Sequence, residues 1–223
     1  DLRECGELAI ERYNCMVGAT DCCQKERYDF INYALAKWGE WPRMNILRNA
    51  LAQLTLPSFS IKLPEMVLPN RKFTIRVDNL VNLHQLNLTI TRVRVNGDTQ
   101  LDPQSASDLR ALKKLASATP AFQLTRNYYG HPVYEVVSDT IDAAGLKPGM
   151  YLVEATADAN MARQSAVLLH VSDVALLHQP LPNNNHRFVV VSASTGRPLP
   201  KAGISLTNND KKIGLLTANN DGE

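Results

Sequence analysis

The sequence predicts a mainly β fold with an α-helical N-terminal segment, an antiparallel β-sandwich and a partial second sandwich. Three observations predict it. Apolar residues recur at helical spacing up to about residue 54. After Pro57 the period changes to two. Turn residues then punctuate the alternating segments as far as Glu223.

Residues 1–56 read as about three helices. Cys5, Ala9, Tyr13 and Met16 share one face of the first. Val17-Gly18-Ala19-Thr20-Asp21 reads as a break, with Thr20 or Asp21 as the next N-cap. Tyr28, Ile31, Leu35 and Trp38 line the second helix, and Gly39 stands at its C-cap. Pro42 fits the first turn of a third helix carrying Met44, Leu47, Leu51 and Leu54. Helices this short build a thin core, so they are expected to pack on a larger helical region or on the next domain.

Residues 57–172 read as one sandwich. Phe59 and Ile61 alternate with Ser60 and Lys62; Phe73, Ile75 and Val77 alternate with Thr74, Arg76 and Asp78. Leu86, Leu88 and Ile90 form the next strand. Val93 and Val95 have the opposite parity, which predicts a bulge near Thr91-Arg92. Asn96-Gly97 is a hairpin or turn signal. A helical insertion is expected near 105–118, with Ser107 as its cap, Leu109, Leu112 and Leu115 on one face and Pro120 after its end. Strands resume at Ala121–Thr125, Val133–Val137, Tyr151–Ala155 and Val167–Val171, with a turn at Leu146-Lys147-Pro148-Gly149. About seven short strands separated by turns is the expected count for an immunoglobulin-like sandwich.

Residues 173–223 read as an incomplete second β domain. Val174–Leu177, Phe188–Val191, Ala202–Leu206 and Ile213–Thr217 are its strands, separated by turn-rich stretches at Pro180–Asn185 and Ser194–Pro198. About four strands are fewer than a sandwich needs. The chain also opens on Asp1 without an initiator Met. Both features are expected of a piece cut from a longer protein.

The 223 residues carry a net charge of +2, 44% hydrophobic and 21% charged side chains. Near-neutrality supplies no concentrated basic face for nucleic acid, and no apolar run approaches the roughly 20 residues that span a bilayer. The opening Asp1-Leu2-Arg3-Glu4-Cys5 is not a signal peptide. Cys5, Cys15, Cys22 and Cys23 lie at the start of the chain and read as small buried hydrophobes on helices, although their even number also permits disulfides in an oxidising compartment. No histidine lies near enough in sequence to suggest zinc.

No catalytic, cofactor-binding or metal-ligating residue is assigned. The sequence contains no G-x-S-x-G, H-E-x-x-H or Walker A pattern. His84, His131, His170, His178 and His186 are scattered, and Ser165 and Ser192 sit in strand-like segments without a strained turn. Asp139 and Asp142 read as turn or surface residues beside a strand end. Asn208–Lys212 and Asp221 do not match a calcium loop. Arg110, Lys113 and Lys114 form a small solvated basic face. Trp38 reads as core or as packed against the sandwich. Tyr128-Tyr129-Gly130-His131-Pro132, a loop, reads as an exposed contact or a packed hairpin.

Three segments carry a family resemblance. They are Gly149–Ala155 after the Pro148 turn, Phe188–Val191 followed by Ser194-Thr195-Gly196-Arg197-Pro198-Leu199 through Leu206, and the strand Leu86–Val93. With the closing Asn220-Asp221-Gly222-Glu223, residues 57–223 resemble consecutive macroglobulin-like domains of a large bacterial alpha-2-macroglobulin-family protein of the Bacteroidetes type. In the T-G-x-P-L turn, Gly196 is free to take positive φ and Pro198 fixes the exit.

The resemblance implies an extracytoplasmic protease trap, in the periplasm or at the cell surface, with room for a membrane anchor in a preceding segment. A bait region is cleaved and the molecule then closes around the protease. Adjacent domains of the same chain and a target protease would be the partners. The thioester motif C-x-E-Q of many members is missing: Cys22-Cys23-Gln24 lacks its spacing and reads as helical. No functional residue carries over, and the implied role is a non-catalytic structural and interaction segment. The alternative is an immunoglobulin-like or transthyretin-like module of a cell-surface adhesion or nutrient-uptake protein, since the Thr195–Leu199 turn with Asp221-Gly222 also resembles those small domains.

Overall fold

A computed structural model of the chain describes residues 2–95, 101–157, 164–208 and 211–223. The expected turn at Asn96-Gly97, and Asn209 and Asp210, lie outside the described residues.

The fold is mainly β, led by helices α1 (Leu2–Gly18), α2 (Gln24–Trp38) and α3 (Asn45–Leu54), the last entered through a 3-10 turn at Pro42–Met44. Their small core gathers Ala9, Ile10, Ile31, Ala34, Met44 and Leu47, with Trp38 and Trp41 packed against it. The N-cap of α2 is Cys23, not Thr20 or Asp21. Its backbone N–H donates to the Glu26 carboxylate at 3.2 Å, so Glu26 closes the first turn from the N3 position. Cys22 and Cys23 therefore sit in the linker before α2. None of the four cysteines is buried: Cys5 and Cys22 are half-buried, Cys15 and Cys23 exposed. The expectation of buried cysteines fails because the small helical core is filled by other side chains.

Among the described residues, the helices meet the sandwich at Thr55 and at Tyr28. The Asn82 amide donates to the Thr55 carbonyl at 2.8 Å. The rings of Tyr28 and Tyr134 lie 4.8 Å apart.

Seven antiparallel strands build an immunoglobulin-like sandwich of two sheets. The first sheet has the order β1 (Ser58–Lys62), β2 (Phe73–Val81), β5 (Val137–Ala143). The second has the order β4 (Phe122–Asn127), β3 (Gln85–Val93), β6 (Gly149–Ala157), β7 (Gln164–Val171). Phe73, Ile75, Val77 and Ile141 face Leu86, Leu88, Ile90, Val153 and Leu169 across the core. The expected strand at Val133–Val137 begins only at Val137. Residues before it form a loop in which Pro132 cannot donate to a ladder and the Glu135 N–H returns to the Pro132 carbonyl at 2.9 Å.

The predicted bulge at Thr91-Arg92 does not exist. β3 pairs with β6 in unbroken register from Leu86–Ala157 to Val93–Met150. The parity changes because the far face of this sheet is also covered. Helix α4 (Ala106–Leu115) lays Leu109 and Leu112 on Val93, Leu152 and Ala166. α4 is held there by the Gln104 amide on the Ala166 carbonyl (2.8 Å) and by Lys113 on Glu154 (2.6 Å). Its N-cap is Ser105, and Ser107 lies inside the helix.

The extra residue sits in β2 instead. Between Val77 and Leu80 the pairing slips by one residue against β5, and β1 slips at the same level. Asn79 takes φ +55 there, a left-handed conformation that Asn tolerates better than most residues. The slip returns Leu80 to the core face, so Val77 and Leu80 are both buried.

Beyond Ser172 the chain forms two ribbons: β8 (Val174–Leu181) with β9 (Asn185–Ser192), and β10 (Gly203–Asn208) with β11 (Lys211–Thr217). β8 runs four residues further than expected, through Pro180, which a two-stranded ribbon accepts because one edge needs no donor. Asn183 (φ +60) and Asn184 (φ +57) make the turn, in the left-handed conformation that Asn tolerates better than most residues.

Candidate functional site

The β8–β11 ribbons present the largest group of exposed apolar side chains among the described residues. Val174, Leu176, Leu177 and Leu181 on β8 are exposed, Leu177 by 57%. Ile213, Leu215 and Leu216 on β11 are exposed too, Ile213 by 68%. A two-stranded ribbon has no second layer of its own, so apolar residues on both faces reach solvent. Clustered exposed apolar side chains mark surfaces that dock on other surfaces. A cavity of about 460 Å³ opens between the ribbons, lined by Leu181, His186, Phe188, Ile204 and Leu216, with Glu223 at its edge paired to Arg187.

The T-G-R-P turn is pinned to the start of β8. Asp173 accepts from the Ser192 hydroxyl at 2.9 Å and from the Ser194 N–H at 2.8 Å. Ser192 in turn accepts from the Thr195 hydroxyl at 2.9 Å. The Ser194 and Ser192 hydroxyls and the Ser194 N–H hold the Asp173 carboxyl below the ordinary carboxylate range. Gly196 takes φ +69, and the Val191–Pro198 bridge carries the chain back alongside β9. Ser192 is thus a structural acceptor and donor inside a turn.

Asp139 does not lie at a turn. It stands within β5 and gathers Arg126 (2.9 Å) and Tyr128 (3.0 Å) from the end of β4. Asp142, also on β5, accepts from Thr74 at 3.0 Å. The Tyr128–Pro132 loop divides: Tyr128 is half-buried and bonded, whereas Tyr129 is exposed and its ring lies 6.1 Å from that of His84. A small cavity of about 60 Å³ beneath this loop is lined by Leu80, Leu83, His84, His131, Glu135 and Val137 among others.

The histidines do not gather into one centre. His131 pairs with Glu135 at 3.1 Å, and His170 lies exposed on β7 beside Arg92 and Arg94. His178 and His186, however, meet across the β8–β9 ribbon with ring nitrogens 2.9 Å apart. Sequence spacing missed this pair because its eight-residue separation acquires meaning only from the position of the hairpin turn. Of the basic residues on α4, Lys113 is committed to Glu154. No group of three or more His, Cys, Asp or Glu that could hold a metal occurs among the described residues, and no described helix is long and apolar enough to cross a membrane.

No family model matches the chain, and no curated protein does. Solved structures do. A superoxide reductase (neelaredoxin) from Ignicoccus hospitalis is 13% identical over 52% of this chain and 80% of its own, with a TM-score of 0.29. The CARDB domain of a Pyrococcus furiosus protein, solved with di-metal ions, is 15% identical over 52% of this chain and 89% of its own, again with a TM-score of 0.29. A chitin binding domain from Burkholderia pseudomallei is 12% identical over 62% of this chain and 68% of its own, with a TM-score of 0.29. At such identities and TM-scores none of the three transfers an activity.

Proposed function

We propose that this chain is a non-catalytic structural and interaction segment of a large extracytoplasmic protein of the alpha-2-macroglobulin type. The observation that carries the reading is the exposed apolar surface of the β8–β11 ribbons. Two-stranded ribbons with Leu176, Leu177, Ile213 and Leu215 in water are marginal alone, and they gain stability by docking on a neighbouring domain. The sandwich ahead of them has a filled core and a covered outer face, which makes it a rigid mount. A rigid mount joined at Ser172-Asp173 to a surface that needs a neighbour is the construction of a positioning segment. In a protease trap, such a segment would hold neighbouring domains in a strained arrangement until bait cleavage.

The test uses the full-length protein. Incubated with several proteases of different specificity, it is expected to retain each in a complex that still cleaves a small chromogenic peptide but no longer digests a large protein such as casein. Proteases that stay unbound and keep full activity on casein would overturn the trap reading.

A further inference from the structure

His178 and His186 approach on one face of the β8–β9 ribbon. Register places His178 opposite Phe188 and Pro180 opposite His186, so all four side chains point the same way and the two imidazoles are diagonal neighbours. The Phe188 ring lies nearly parallel to that of His178, 4.9 Å away at 17°, and limits its rotation. Arg187, between His186 and Phe188, alternates to the other face and pairs with Glu223. Both imidazoles are exposed.

His178 Nε2 and His186 Nδ1 are 2.9 Å apart. A hydrogen bond between neutral rings accounts for that separation, one nitrogen donating and the other accepting. The same separation suits a chelate once the rings turn so that both lone pairs converge on one ion beside the line between the nitrogens. Two imidazole nitrogens bound at about 2.0–2.1 Å to one ion stand about 2.9 Å apart when the angle at the ion is about 90°, and about 3.4 Å apart at the tetrahedral angle. A right angle is the cis angle of square-planar and tetragonal centres, the preference of Cu²⁺ and Ni²⁺ rather than Zn²⁺. Cu²⁺ also heads the affinity order of the divalent first-row ions.

We propose that His178 Nε2 and His186 Nδ1 form a two-imidazole chelating site for Cu²⁺ on the β8–β9 ribbon. The ring that donates in the metal-free pair changes tautomer on binding and carries its proton on the far nitrogen, so a neutral pair releases none. Water completes the coordination, because no third protein ligand joins the pair among the described residues. Binding would clip the two strands together halfway along the ribbon.

The experiment titrates the 223-residue chain with copper sulfate after its thiols are alkylated, since four free cysteines would otherwise reduce or bind the ion. Electron paramagnetic resonance at one equivalent is expected to show a tetragonal centre with nitrogen ligands. Paramagnetic broadening of amide signals is expected to centre on residues 178–188. His178→Gln and His186→Gln should each weaken binding by about tenfold or more, while His131→Gln should leave it unchanged. Unaltered affinity in both ribbon variants, broadening centred on His131–Glu135 or on the helices, or no uptake at all would overturn the proposal.

Discussion

The Tyr128 hydroxyl donates to Asp139 at 3.0 Å, and that bond ties the two sheets of the sandwich together. Tyr128 follows β4, an edge of one sheet, and Asp139 lies on β5, an edge of the other. Arg126 reaches the same carboxylate from β4 at 2.9 Å. Burial, and then the hydrogen bond and charge of Asp139, push the Tyr128 phenol well above its ordinary range. Burial alone would raise the Asp139 carboxyl, but Arg126, the Thr140 N–H and Tyr128 outweigh it and hold it low.

Tyr128→Phe is expected to cost about 1.5–3 kcal/mol, the worth of a hydrogen bond to a charged group. Urea unfolding of this variant, Asp139→Asn and the double variant would measure it. The double variant should lose less than the two singles together, because both remove the same tie. Strict additivity would show that the bond contributes nothing to holding the sheets.

Stability should fall in acid. Lys62 and Arg76 hold the Asp78 carboxyl low, at 2.9 and 3.3 Å, against a smaller effect of burial. Asp139 and Asp173 are low as well. A carboxyl depressed in the folded state stabilises it fully above the unfolded value, about 4, and loses that contribution as pH falls through the folded value. Melting temperature should therefore be flat between neutrality and about pH 5 and drop below about pH 4. Asp139→Asn should flatten that drop.

Tyr128 contributes to the alkaline limb. Its raised value means that the unfolded chain ionises first, so its contribution is full below about pH 10 and drains above it. Tyr128→Phe should remove that part of the loss; an identical alkaline profile in both proteins would contradict the assignment.

Leu112→Ala should destabilise the sandwich by about 2–5 kcal/mol. Leu112 is fully buried between α4 and Leu152, itself fully buried. Hydrogen exchange should show α4 losing protection first and the amides of β3 and β6 following. A loss confined to α4, with global stability unchanged, would mean that the helix is an ornament on the sheet.

Gly145→Ala should cost about 1–3 kcal/mol by overpacking. A Cβ there would stand 2.5 Å from the Asn70 carbonyl oxygen, in a backbone crossing closed by the Asn70 N–H on the Leu146 carbonyl at 2.8 Å. Backbone cannot rotate away as a side chain can. Gly18→Ala, with open space around it, serves as the control in thermal melts.

Alternating Phe73, Ile75 and Val77, then Leu86, Leu88 and Ile90, determined by themselves that these segments are strands and which side chains fill the core, because a pleated strand sorts its residues by parity. The helical spacing of Met44, Leu47 and Leu51 did the same for the N-terminal segment. Tertiary structure alone decided what lies behind the sheets. Val93 looks like a broken register until α4 is seen on the far face, and the real slip at Asn79 is hidden in a run that reads as regular. Asp139 and the His178–His186 pair were illegible for the same reason: their partners come from another strand, and pairing across strands depends on register and turn position, which periodicity along one strand does not encode.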